Sequence, residues 1–565
     1  MTTPHPMEIE LKLALPPQQV AAFLKRMARR RTLQGTGGAP VRQTLLTRYY
    51  DTPDFALSAQ GVALRVRRVG RRWLQTLKTE GERQGGLSRR VEFEMPVSRG
   101  APDWNRFPSE ARARIPEVLR ARLVPVFETR FHRTIWLVAG RGGARIEIAL
   151  DVGEIAVRRD THSGEHSQPI CEIELELKSG QPDALFAQAL DWSGTFDCLP
   201  LDLSKAERGV RLAHGMDAMP ARSGPLALDR SMRVEDGFAA IVQACLAQFQ
   251  SNLPGVLSAL PPSQTGTGAH AGPVPGNEYV HQARVALRRL RAALRLARKV
   301  CVLPSELRDG LRALAVALGP ARDWDVLCDE TLPPIAPHYP DPDGWQRGMA
   351  GLQAHRDAAS EVMRETLRAA RPGAWLLAMQ RWLMRHGWRS SPRGGHQAAA
   401  GGKVSDTQRR VQRMPLDTWA RQVLQTGHRP IVRGARAFGG LTPRQRHALR
   451  IAVKRQRYAA EFFQMLFDDR PDGRQREAMY LSALRAAQDS LGQASDAYVA
   501  STLLRAGWAV PHTLQSGADR SPSGTPEAEP MVSFALGWLA AKQAGQAGDE
   551  TAGPVRALLE LKSYW

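Results

Sequence analysis

The sequence predicts an α+β chain in which a domain of antiparallel β-strands precedes an all-α region. Over the first ~210 residues, apolar and charged residues alternate with the two-residue period of a half-buried strand. From about residue 230 onward, apolar residues recur at three- and four-residue steps, which is the period of an amphipathic helix. The length of 565 residues is sufficient for roughly two to four domains, each with its own core.

The segment Glu8-Ile9-Glu10-Leu11-Lys12 lies in the first predicted strand. Alternate side chains of a strand share a face, so two carboxylates and an ammonium group would stack on the side opposite Ile9 and Leu11. A strand that holds a divalent cation beside a phosphate needs this arrangement. The segment alone favours an ordinary amphipathic edge strand.

The same alternation recurs in the later strands. Residues that would share a face are Arg65 with Arg67, Thr76 with Lys78, Arg90 with Glu92 and Glu94, Arg145 with Glu147 and Asp151, and Glu172 with Glu174 and Glu176. Many such antiparallel strands can close into a barrel. Charges that point outward would make an ordinary soluble barrel. Charges that point inward would make a tunnel whose acidic and basic rows are joined by a metal and a polyanion, and composition does not decide between the two.

Residues 7–210 resemble a CYTH domain, the fold of the triphosphate tunnel metalloenzymes. The motifs that carry the resemblance occur in the same order along the chain: Glu8-x-Glu10-x-Lys12, Arg48-Tyr49-Tyr50-Asp51-Thr52-Pro53, Leu64-Arg65-Val66-Arg67, Thr76-Leu77-Lys78, Arg90-x-Glu92-x-Glu94, Glu128-Thr129-Arg130-Phe131-His132-Arg133, Leu150-Asp151-x-Gly153-Glu154, Glu172-x-Glu174-x-Glu176 and Ser204-Lys205-Ala206-Glu207-Arg208-Gly209. The resemblance implies that the charged faces line the inside of a closed β-barrel tunnel.

The resemblance also implies a metal-dependent inorganic triphosphatase, which splits triphosphate into pyrophosphate and phosphate. The residues implied to bind the substrate are Arg48, Arg65, Arg67, Lys78, Arg90, Arg130 and Arg133. Those implied to bind Mg²⁺ or Mn²⁺ are Glu8, Glu10, Asp151, Glu172, Glu174 and Glu176. Lys12 and Lys205 are expected to act at the reacting or leaving phosphate. The residue types fit, because arginine pairs with two phosphate oxygens and hard cations prefer carboxylates.

The clearest helical stretch runs from Val280 to Lys299, where basic residues follow an apolar stripe one position later. The basic residues are His281, Arg284, Arg288, Arg291, Arg295 and Arg298. One residue turns a helix by about 100°, so the basic stripe lies beside the face that packs on the core. The sequence has no acidic residue between positions 279 and 305 to neutralise this stripe. We therefore expect the stripe to bind an anion.

A second copy of this pattern lies further along the chain. The spacing of His281, Arg284, Arg288 and Arg291 is repeated by His447, Arg450, Lys454 and Arg457. Leu318-Gly319 follows the first copy, and Leu491-Gly492 follows the second. The pattern predicts an internal duplication, about 278–330 and 444–500, whose two basic stripes can face each other across one groove.

Residues 230–565 resemble a CHAD domain, an all-helical module that often follows a CYTH domain. The resemblance implies that the helical domain binds inorganic polyphosphate through His281, Arg284, Arg288, Arg291, Arg295, His447, Arg450, Lys454 and Arg457. Two positions depart from the pattern. Ser495 stands where the first copy has Arg322, which we expect to make the two binding faces unequal. Gln456 replaces an aliphatic residue, which we expect to weaken packing.

The predicted domain boundaries are 1–215 for the tunnel domain, 216–229 for a linker and 230–565 for the helical domain. Disordered loops are predicted near 261–277, 390–404 and 511–530, which are rich in glycine and small or polar residues. The net charge of +22 implies an acidic partner. The cysteine spacing fits no metal or redox motif, and neither a signal peptide nor a membrane-spanning run is evident. We therefore expect a soluble, cytoplasmic protein.

Alternative functions remain open at this stage. The chain could chiefly bind polyphosphate, or associate with polyphosphate granules, with weak or no catalysis. Some CYTH relatives are adenylate cyclases, although no glycine-rich nucleotide loop is present here, and thiamine triphosphate hydrolysis is a third option. Nucleic-acid binding is possible on charge alone, but few aromatic residues accompany the basic helices and no nucleic-acid-binding fold is recognised.

Overall fold

The computed structural model of the protein describes residues 7–29, 39–158, 165–258, 276–389, 405–467, 472–509, 528–545, 552–561 and 563–565. These residues form two compact units. The first contains the described parts of 1–219 together with 371–387, and the second contains those of 220–259, 275–370 and 388–565. The predicted loop at 390–404 lies outside the described residues, as do all but the last few residues of the loops predicted near 261–277 and 511–530.

The strands all belong to the first unit. They are β1 (Met7–Ala14), β2 (Val41–Asp51), β3 (Ala63–Val69), β4 (Arg72–Lys78), β5 (Glu82–Gln84), β6 (Leu87–Val97), β7 (Val124–Ala139), β8 (Arg145–Arg158), β9 (Glu165–Ser179) and β10 (Leu199–Pro200).

The helices are distributed over both units. They are α1 (Val20–Ala28), α2 (Ala56–Ala59), α3 (Ser109–Ala113), α4 (Glu117–Arg120), α5 (Asp183–Ser193), α6 (Lys205–Ala213), α7 (Val234–Leu257), α8 (Gly276–Leu296), α9 (Ser305–Ala317), α10 (Gly319–Val326), α11 (Pro342–Ala369), α12 (Pro372–Met384), α13 (Asp406–Gln412), α14 (Leu416–Arg436), α15 (Pro443–Phe462), α16 (Gly473–Ala509), α17 (Ala528–Gly545) and α18 (Ala552–Arg556). Helices α1 to α6 and α12 belong to the first unit.

Eight of the described strands close into an antiparallel barrel. Hydrogen-bonded neighbours follow the order β1-β9-β8-β7-β2-β3-β4-β6, and β6 pairs again with β1, which closes the circle. The short strands β5 and β10 pair with β6 and β1 and extend the sheet locally. The predicted α+β class, with an amino-terminal antiparallel β-barrel followed by helices, is confirmed.

The barrel wall has an apolar outer face and a charged inner face. Leu11 and Leu13 of β1 pack in the outer core with Ile173 and Leu175 of β9, under side chains of α1 and α5. Side chains alternate along a strand, so the carboxylates between these apolar residues point to the interior. Helix α6 packs against the inner face, where its apolar side chains meet Phe131 and other aromatic residues of the wall.

Helix α12 is part of the barrel unit, although the segments on either side of it in the sequence belong to the helical unit. Leu377 is fully buried in the outer apolar core of the barrel. Arg381 donates two hydrogen bonds of 2.7 Å to the carboxylate of Asp183 in α5. A β-carbon at Gly373 would lie 1.8 Å from the carbonyl oxygen of Cys198, so only glycine permits this close approach.

Helix α12 lies within the range 230–565 that was predicted as the helical domain, because a helical period identifies a helix without identifying the core that the helix covers. The exact domain boundaries stay a prediction, but residues 371–387 fold with the barrel.

The second unit is built from helices alone. Helix α7 packs along α8, helix α15 contacts α14, α16 and α8, and α11 packs against α10 and α17. Its core is apolar and includes Phe238, Leu246 and Phe249 of α7. Within the part of the chain that the structure describes, no helix is both long enough and apolar enough to cross a membrane.

We predict that Leu377→Ala destabilises the barrel unit. Truncating a buried leucine removes apolar contacts and leaves a cavity, which costs about 2–5 kcal/mol. In hydrogen-exchange mass spectrometry of the full chain, peptides from β1 and α5 should exchange faster in this variant than in the parent.

The matched control is Leu367→Ala, because Leu367 is equally buried but lies in α11 of the helical unit. That variant should accelerate exchange in the helical unit and leave β1 and α5 unchanged. Unchanged exchange of β1 and α5 in Leu377→Ala would show that α12 does not support the barrel.

Candidate functional site

A cavity inside the barrel is lined mainly by charged side chains. The lining consists of Glu8, Glu10, Lys12, Arg65, Arg67, Lys78, Arg90, Arg133, Glu147, Glu174, Glu176 and Lys205, together with Tyr49, Ala63, Ala149, Ser204 and Ala206. These residues come from all eight strands of the barrel and from α6 and the residue before it. The inward orientation that the family resemblance implied is therefore present, and it brings most of the predicted tunnel residues into one cavity.

Asp151, Glu172 and Glu174 form an acidic trio in the barrel wall. Asp151 on β8 lies directly opposite Glu172 on β9, and Glu174 shares its face with Glu172. One oxygen from each carboxylate lies within 4.8 Å of the other two. Asp151 and Glu172 are almost fully buried. Three convergent carboxylate oxygens are a suitable ligand set for a hard divalent cation such as Mg²⁺ or Mn²⁺.

Three basic side chains neutralise the acidic trio. The Nζ atom of Lys205 lies 2.7 Å from Asp151 and 3.0 Å from Glu174, and it also contacts Glu172. Arg133 donates bonds of 2.7 and 2.6 Å to the two oxygens of Asp151 and also contacts Glu174. Arg208 lies 2.9 Å from Glu172. Buried carboxylates are tolerated only with such partners, because desolvation of an unpaired charge is costly.

The ion pairs of this cluster favour the charged forms of Glu174 and Lys205. Burial by itself would raise the pKa of Glu174, but the charges of Lys205 and Arg133 hold that pKa well below its ordinary value. Burial likewise disfavours the charge of Lys205, but the three carboxylates raise its pKa above the ordinary value. Glu174 and Lys205 therefore stay ionised at neutral pH.

A second charged cluster surrounds the start of β1. The Nζ atom of Lys78 lies 2.7 Å from Glu8 and 3.1 Å from Glu92. Arg90 contacts both Glu8 and Glu10, and Lys12 lies 2.8 Å from Glu10. Burial opposes ionisation of Glu10, but Lys12 and Arg90 lower its pKa. Each carboxylate in this cluster therefore has a cation that could also bind phosphate.

The ring of Phe131 packs beneath three cations of the cavity. The Nζ atom of Lys205 lies 5.1 Å from the ring centroid, and the Cζ atoms of Arg133 and Arg67 lie 5.6 and 5.9 Å away. These distances fit cation–π contacts, which offset part of the cost of crowding like charges. Burial and the charges of Arg65 and Arg133 still lower the pKa of Arg67 to about 10.

Two predicted substrate residues lie away from the cavity. The side chains of Arg48 and Arg130 are 43% and 44% exposed, and both pair with Glu128. Arg130 and Arg133 are three residues apart on β7, so their side chains point to opposite faces of the wall. Only Arg133 is brought to the acidic trio. Strand parity was the available sequence signal, and it separates Arg48 from the cavity-lining Tyr49 in the same way.

Several residues of the site were not among the predicted set. They are Tyr49, Glu92, Glu147 and Arg208, which line the cavity or pair with residues that do. Glu92 and Glu147 share the charged parity of their strands, so the alternation did indicate them. Arg208 lies on α6, where a strand-based pattern gives no indication of which side chain points toward β9.

In the helical unit, basic residues of α8 and α15 come together. Burial and the charges of Arg288, Arg450 and Arg457 lower the pKa of Lys454 to about 8. Arg288 belongs to α8, whereas Lys454, Arg450 and Arg457 belong to α15, so the two basic stripes lie close together. The Cζ atoms of Arg288 and Arg457 lie 5.7 and 4.7 Å from the centroid of the Tyr458 ring, which therefore connects the stripes. The basic groove is the name we use for the surface formed by the predicted polyphosphate-binding residues of the two helices: His281, Arg284, Arg288, Arg291 and Arg295 of α8, and His447, Arg450, Lys454 and Arg457 of α15.

The two segments of the predicted duplication, which stays a prediction, contain similar ion pairs in the basic groove. Arg284 lies 3.6 Å from Asp323, and Arg450, at the matching position of the second copy, lies 3.7 Å from Asp496. His281 is half-buried beside these residues, and burial together with Arg322 lowers its pKa. The remaining predicted members, Arg291, Arg295 and His447, are exposed on the same two helices.

Two departures from the helical pattern have different outcomes. The side chain of Ser495 lies outside the described residues, so the predicted inequality of the two faces stays a prediction. Gln456 is buried, and its amide nitrogen donates bonds of 3.0 Å to the carbonyl oxygen of Leu424 and to the hydroxyl of Tyr480. The polar side chain thus has partners in the core, which reduces the packing cost that we expected.

Family comparisons match both parts of the chain. The family model for the CYTH domain matches residues 6–209, and the family model for the CHAD domain matches residues 240–505. An inorganic triphosphatase of Haemophilus influenzae is 35% identical over 209 residues, which are 36% of this chain and 54% of that relative. The chain thus spans about half the length of this curated relative.

Solved structures with similarity include examples of each domain. The CHAD domain of the plant Ricinus communis is 29% identical with a TM-score of 0.46, and the match covers 62% of this chain and 99% of that one. A Hippeastrum protein, described as an adenylyl cyclase candidate with a dominant triphosphatase activity, is 17% identical with a TM-score of 0.26. That match covers 37% of this chain and 97% of the other. From the two family matches, this chain is a CYTH–CHAD protein, with the CYTH domain in the β-barrel and the CHAD domain among the helices that follow.

Proposed function

We propose that this protein is a metal-dependent inorganic triphosphatase that hydrolyses triphosphate to pyrophosphate and phosphate. The observation that carries the proposal is the barrel cavity, which is lined by seven basic side chains and by Glu174, the member of the acidic trio that reaches it. A polyanion and a divalent cation together would satisfy both sets. The similarity to the Haemophilus influenzae inorganic triphosphatase supports the same reaction.

The acidic trio, with Glu8 and Glu10 nearby, is the proposed site for Mg²⁺ or Mn²⁺. A bound divalent cation would supply charge neutralisation and a lower pKa for a coordinated water. The carboxylates of Asp151, Glu172 and Glu174 fit this role because their oxygens converge and no thiol or imidazole is among them. Glu176 lines the same cavity but pairs with Lys178 at 2.7 Å, so we assign it a peripheral role.

The basic residues of the cavity are proposed to bind and orient triphosphate. The guanidinium groups of Arg65, Arg67 and Arg133 can each pair with two phosphate oxygens. Arg90 adds a further guanidinium group, and Lys78 adds a compact ammonium charge. Lys12 and Lys205 are proposed to contact the reacting or leaving phosphate. Phosphoryl transfer needs mainly positioning and charge neutralisation, which preorganised cations in a buried site provide.

We also propose that the basic groove of the helical unit binds inorganic polyphosphate. Lys454 lies among the guanidinium groups of Arg288, Arg450 and Arg457, and their mutual repulsion is relieved by a bound polyanion. Repeated phosphates suit a groove lined by two basic helices. Granule association and a cytoplasmic location stay predictions.

Adenylate cyclisation is the competing activity for the barrel. Tyr49 is the one aromatic side chain among the described residues that line the cavity. The cavity thus has little surface on which an adenine base could stack. Turnover of triphosphate, ATP, thiamine triphosphate and long-chain polyphosphate by the same preparation separates these activities.

We predict that Glu174→Ala lowers kcat/KM for triphosphate by about 100-fold or more with Mg²⁺. The substitution removes one carboxylate of the acidic trio and leaves Lys205 and Arg133 with fewer partners, and loss of metal-based charge neutralisation costs several kcal/mol of transition-state stabilisation. Phosphate release measures the rate, and circular dichroism checks the fold.

Glu82→Ala is the matched control, because the Glu82 side chain is 85% exposed on β5. It should hydrolyse triphosphate at the parental rate. If folded Glu174→Ala also keeps the parental rate, the metal assignment is wrong.

We predict that Lys454→Ala weakens binding of long-chain polyphosphate by about five- to tenfold, because it removes a central charge of the basic groove. Fluorescence anisotropy with end-labelled polyphosphate measures the affinity. Arg312→Ala is the control, because it removes the same charge from an exposed position on α9. Equal affinities for the parent and Lys454→Ala would place the binding site elsewhere.

Polyphosphate affinity should fall as the pH rises through about 8. Lys454, whose pKa is lowered to about 8 by burial and by neighbouring arginines, is charged below this pH and neutral above it. The groove therefore loses one positive charge on the alkaline side. Lys454→Arg should bind equally well on both sides of this pH, because guanidinium stays protonated. A parental pH profile that matches that of Lys454→Arg would contradict the role of Lys454.

A further inference from the structure

The ammonium group of Lys205 lies where a divalent cation held by the acidic trio would bind. It contacts carboxylate oxygens of Asp151, Glu172 and Glu174 at the same time. A metal ion that binds those oxygens needs the same space and the same negative charge. The two cations therefore exclude each other from the trio.

The backbone of Lys205 is held in place, so the side chain alone can give way. Helix α6 begins with a capping box, in which Ser204 accepts a bond of 3.2 Å from the Glu207 amide and donates its own amide to the Glu207 carboxylate at 2.9 Å. A β-carbon at Gly209 would lie 2.1 Å from the ring of Phe127, so the helix packs directly on the wall. Arg208 adds a bond of 2.6 Å to the carbonyl oxygen of Pro169.

A displaced Lys205 stays close to other basic side chains of the cavity. Its Nζ atom lies over the Phe131 ring, which also carries the guanidinium groups of Arg67 and Arg133. Lysine has a flexible four-carbon stem and can reorient without moving the helix. Repulsion from the two arginines makes the released ammonium unfavourable there unless an anion binds beside it. Displacement of the Lys205 ammonium group thus frees the metal site and favours the binding of a phosphate beside that group.

We propose that Lys205 couples metal binding to triphosphate binding: its ammonium group competes with the divalent cation for the acidic trio and, once displaced, binds the phosphate of the substrate. The identity of the anion rests on the proposed function. The competition at the trio does not.

The first test measures Mn²⁺ binding to the full chain without any phosphate. Free Mn²⁺ is followed by electron paramagnetic resonance for the parent, Lys205→Met and Lys12→Met. Lys205→Met keeps an unbranched side chain of similar length and should bind Mn²⁺ about tenfold more tightly or better. Lys12→Met removes the same charge from the cavity. Lys12 forms its ion pair with Glu10 and acts on Glu174 alone among the trio, through its charge, so the effect should be smaller.

Equal affinities in the parent and Lys205→Met, or equal gains in the two variants, would overturn the competition. Lys205→Gln is measured in parallel, so that the test stands if Lys205→Met does not fold.

The second test compares how much Lys205→Met weakens triphosphate binding with and without Mn²⁺. In EDTA, Lys205 is held by the trio, so Lys205→Met should change the calorimetric Kd for triphosphate by less than about twofold. With saturating Mn²⁺, the KM for triphosphate should rise by about tenfold. Equal losses under both conditions would overturn the coupling.

The outcomes separate this inference from the proposed function. If Lys205→Met binds Mn²⁺ more tightly but the parent cleaves no triphosphate, the proposed function fails and the competition stands. If the parent cleaves triphosphate and Mn²⁺ affinity is unchanged in Lys205→Met, the inference fails alone.

Discussion

Compensation between buried charges inside the barrel is the constraint on which the first unit depends. Asp151 and Glu172 are almost fully removed from water, and each is bonded to cations from other strands or from α6. Removing a partner from such a cluster leaves an uncompensated buried charge, which is strongly destabilising. The cluster can be exchanged for another neutral arrangement, however, and a divalent cation with a condensed phosphate is such an arrangement.

The apolar architecture makes this charged interior possible. Leu11, Leu13, Ile173 and Leu175 face outward from the strands that carry the glutamates, and they are covered by helices. Burial of the outer face supplies the free energy that a polar interior cannot supply. Leu377 of α12 contributes to this burial, because part of the outer core would be exposed to water without it. The barrel unit is therefore not a continuous segment of the chain.

The helical unit differs from the barrel because its basic surface is only partly neutralised by carboxylates. Basic residues from α8 and α15 converge on Tyr458, while the nearby carboxylates of Asp323 and Asp496 pair with an arginine of each copy. In the same unit, Glu461 contacts both Arg289 of α8 and Arg457 of α15. The acidic groups orient individual arginines without neutralising the whole surface. These two charge distributions agree with the proposed ligands, which are an extended anion for the helical unit and a short one for the barrel cavity.

Much of the barrel site follows from strand parity and from family resemblance. Parity groups Glu8 with Glu10 and Lys12, and Glu172 with Glu174, on single faces, because a strand has a fixed two-residue period. It does not say whether that face is inside or outside, and here the family resemblance supplied the answer that the closed barrel confirms.

The tertiary structure decided what no local period contains. It placed Phe131 beneath three cations of the cavity, and it paired Arg48 and Arg130 with Glu128 on the face of the wall to which strand parity assigns them. It also joined α12 to the barrel, because a helical repeat defines an apolar stripe but not the surface that the stripe meets. The contact of Lys205 with three carboxylates of β8 and β9 likewise depends on the packing of α6 inside a closed wall, and sequence separation carries no information about that distance.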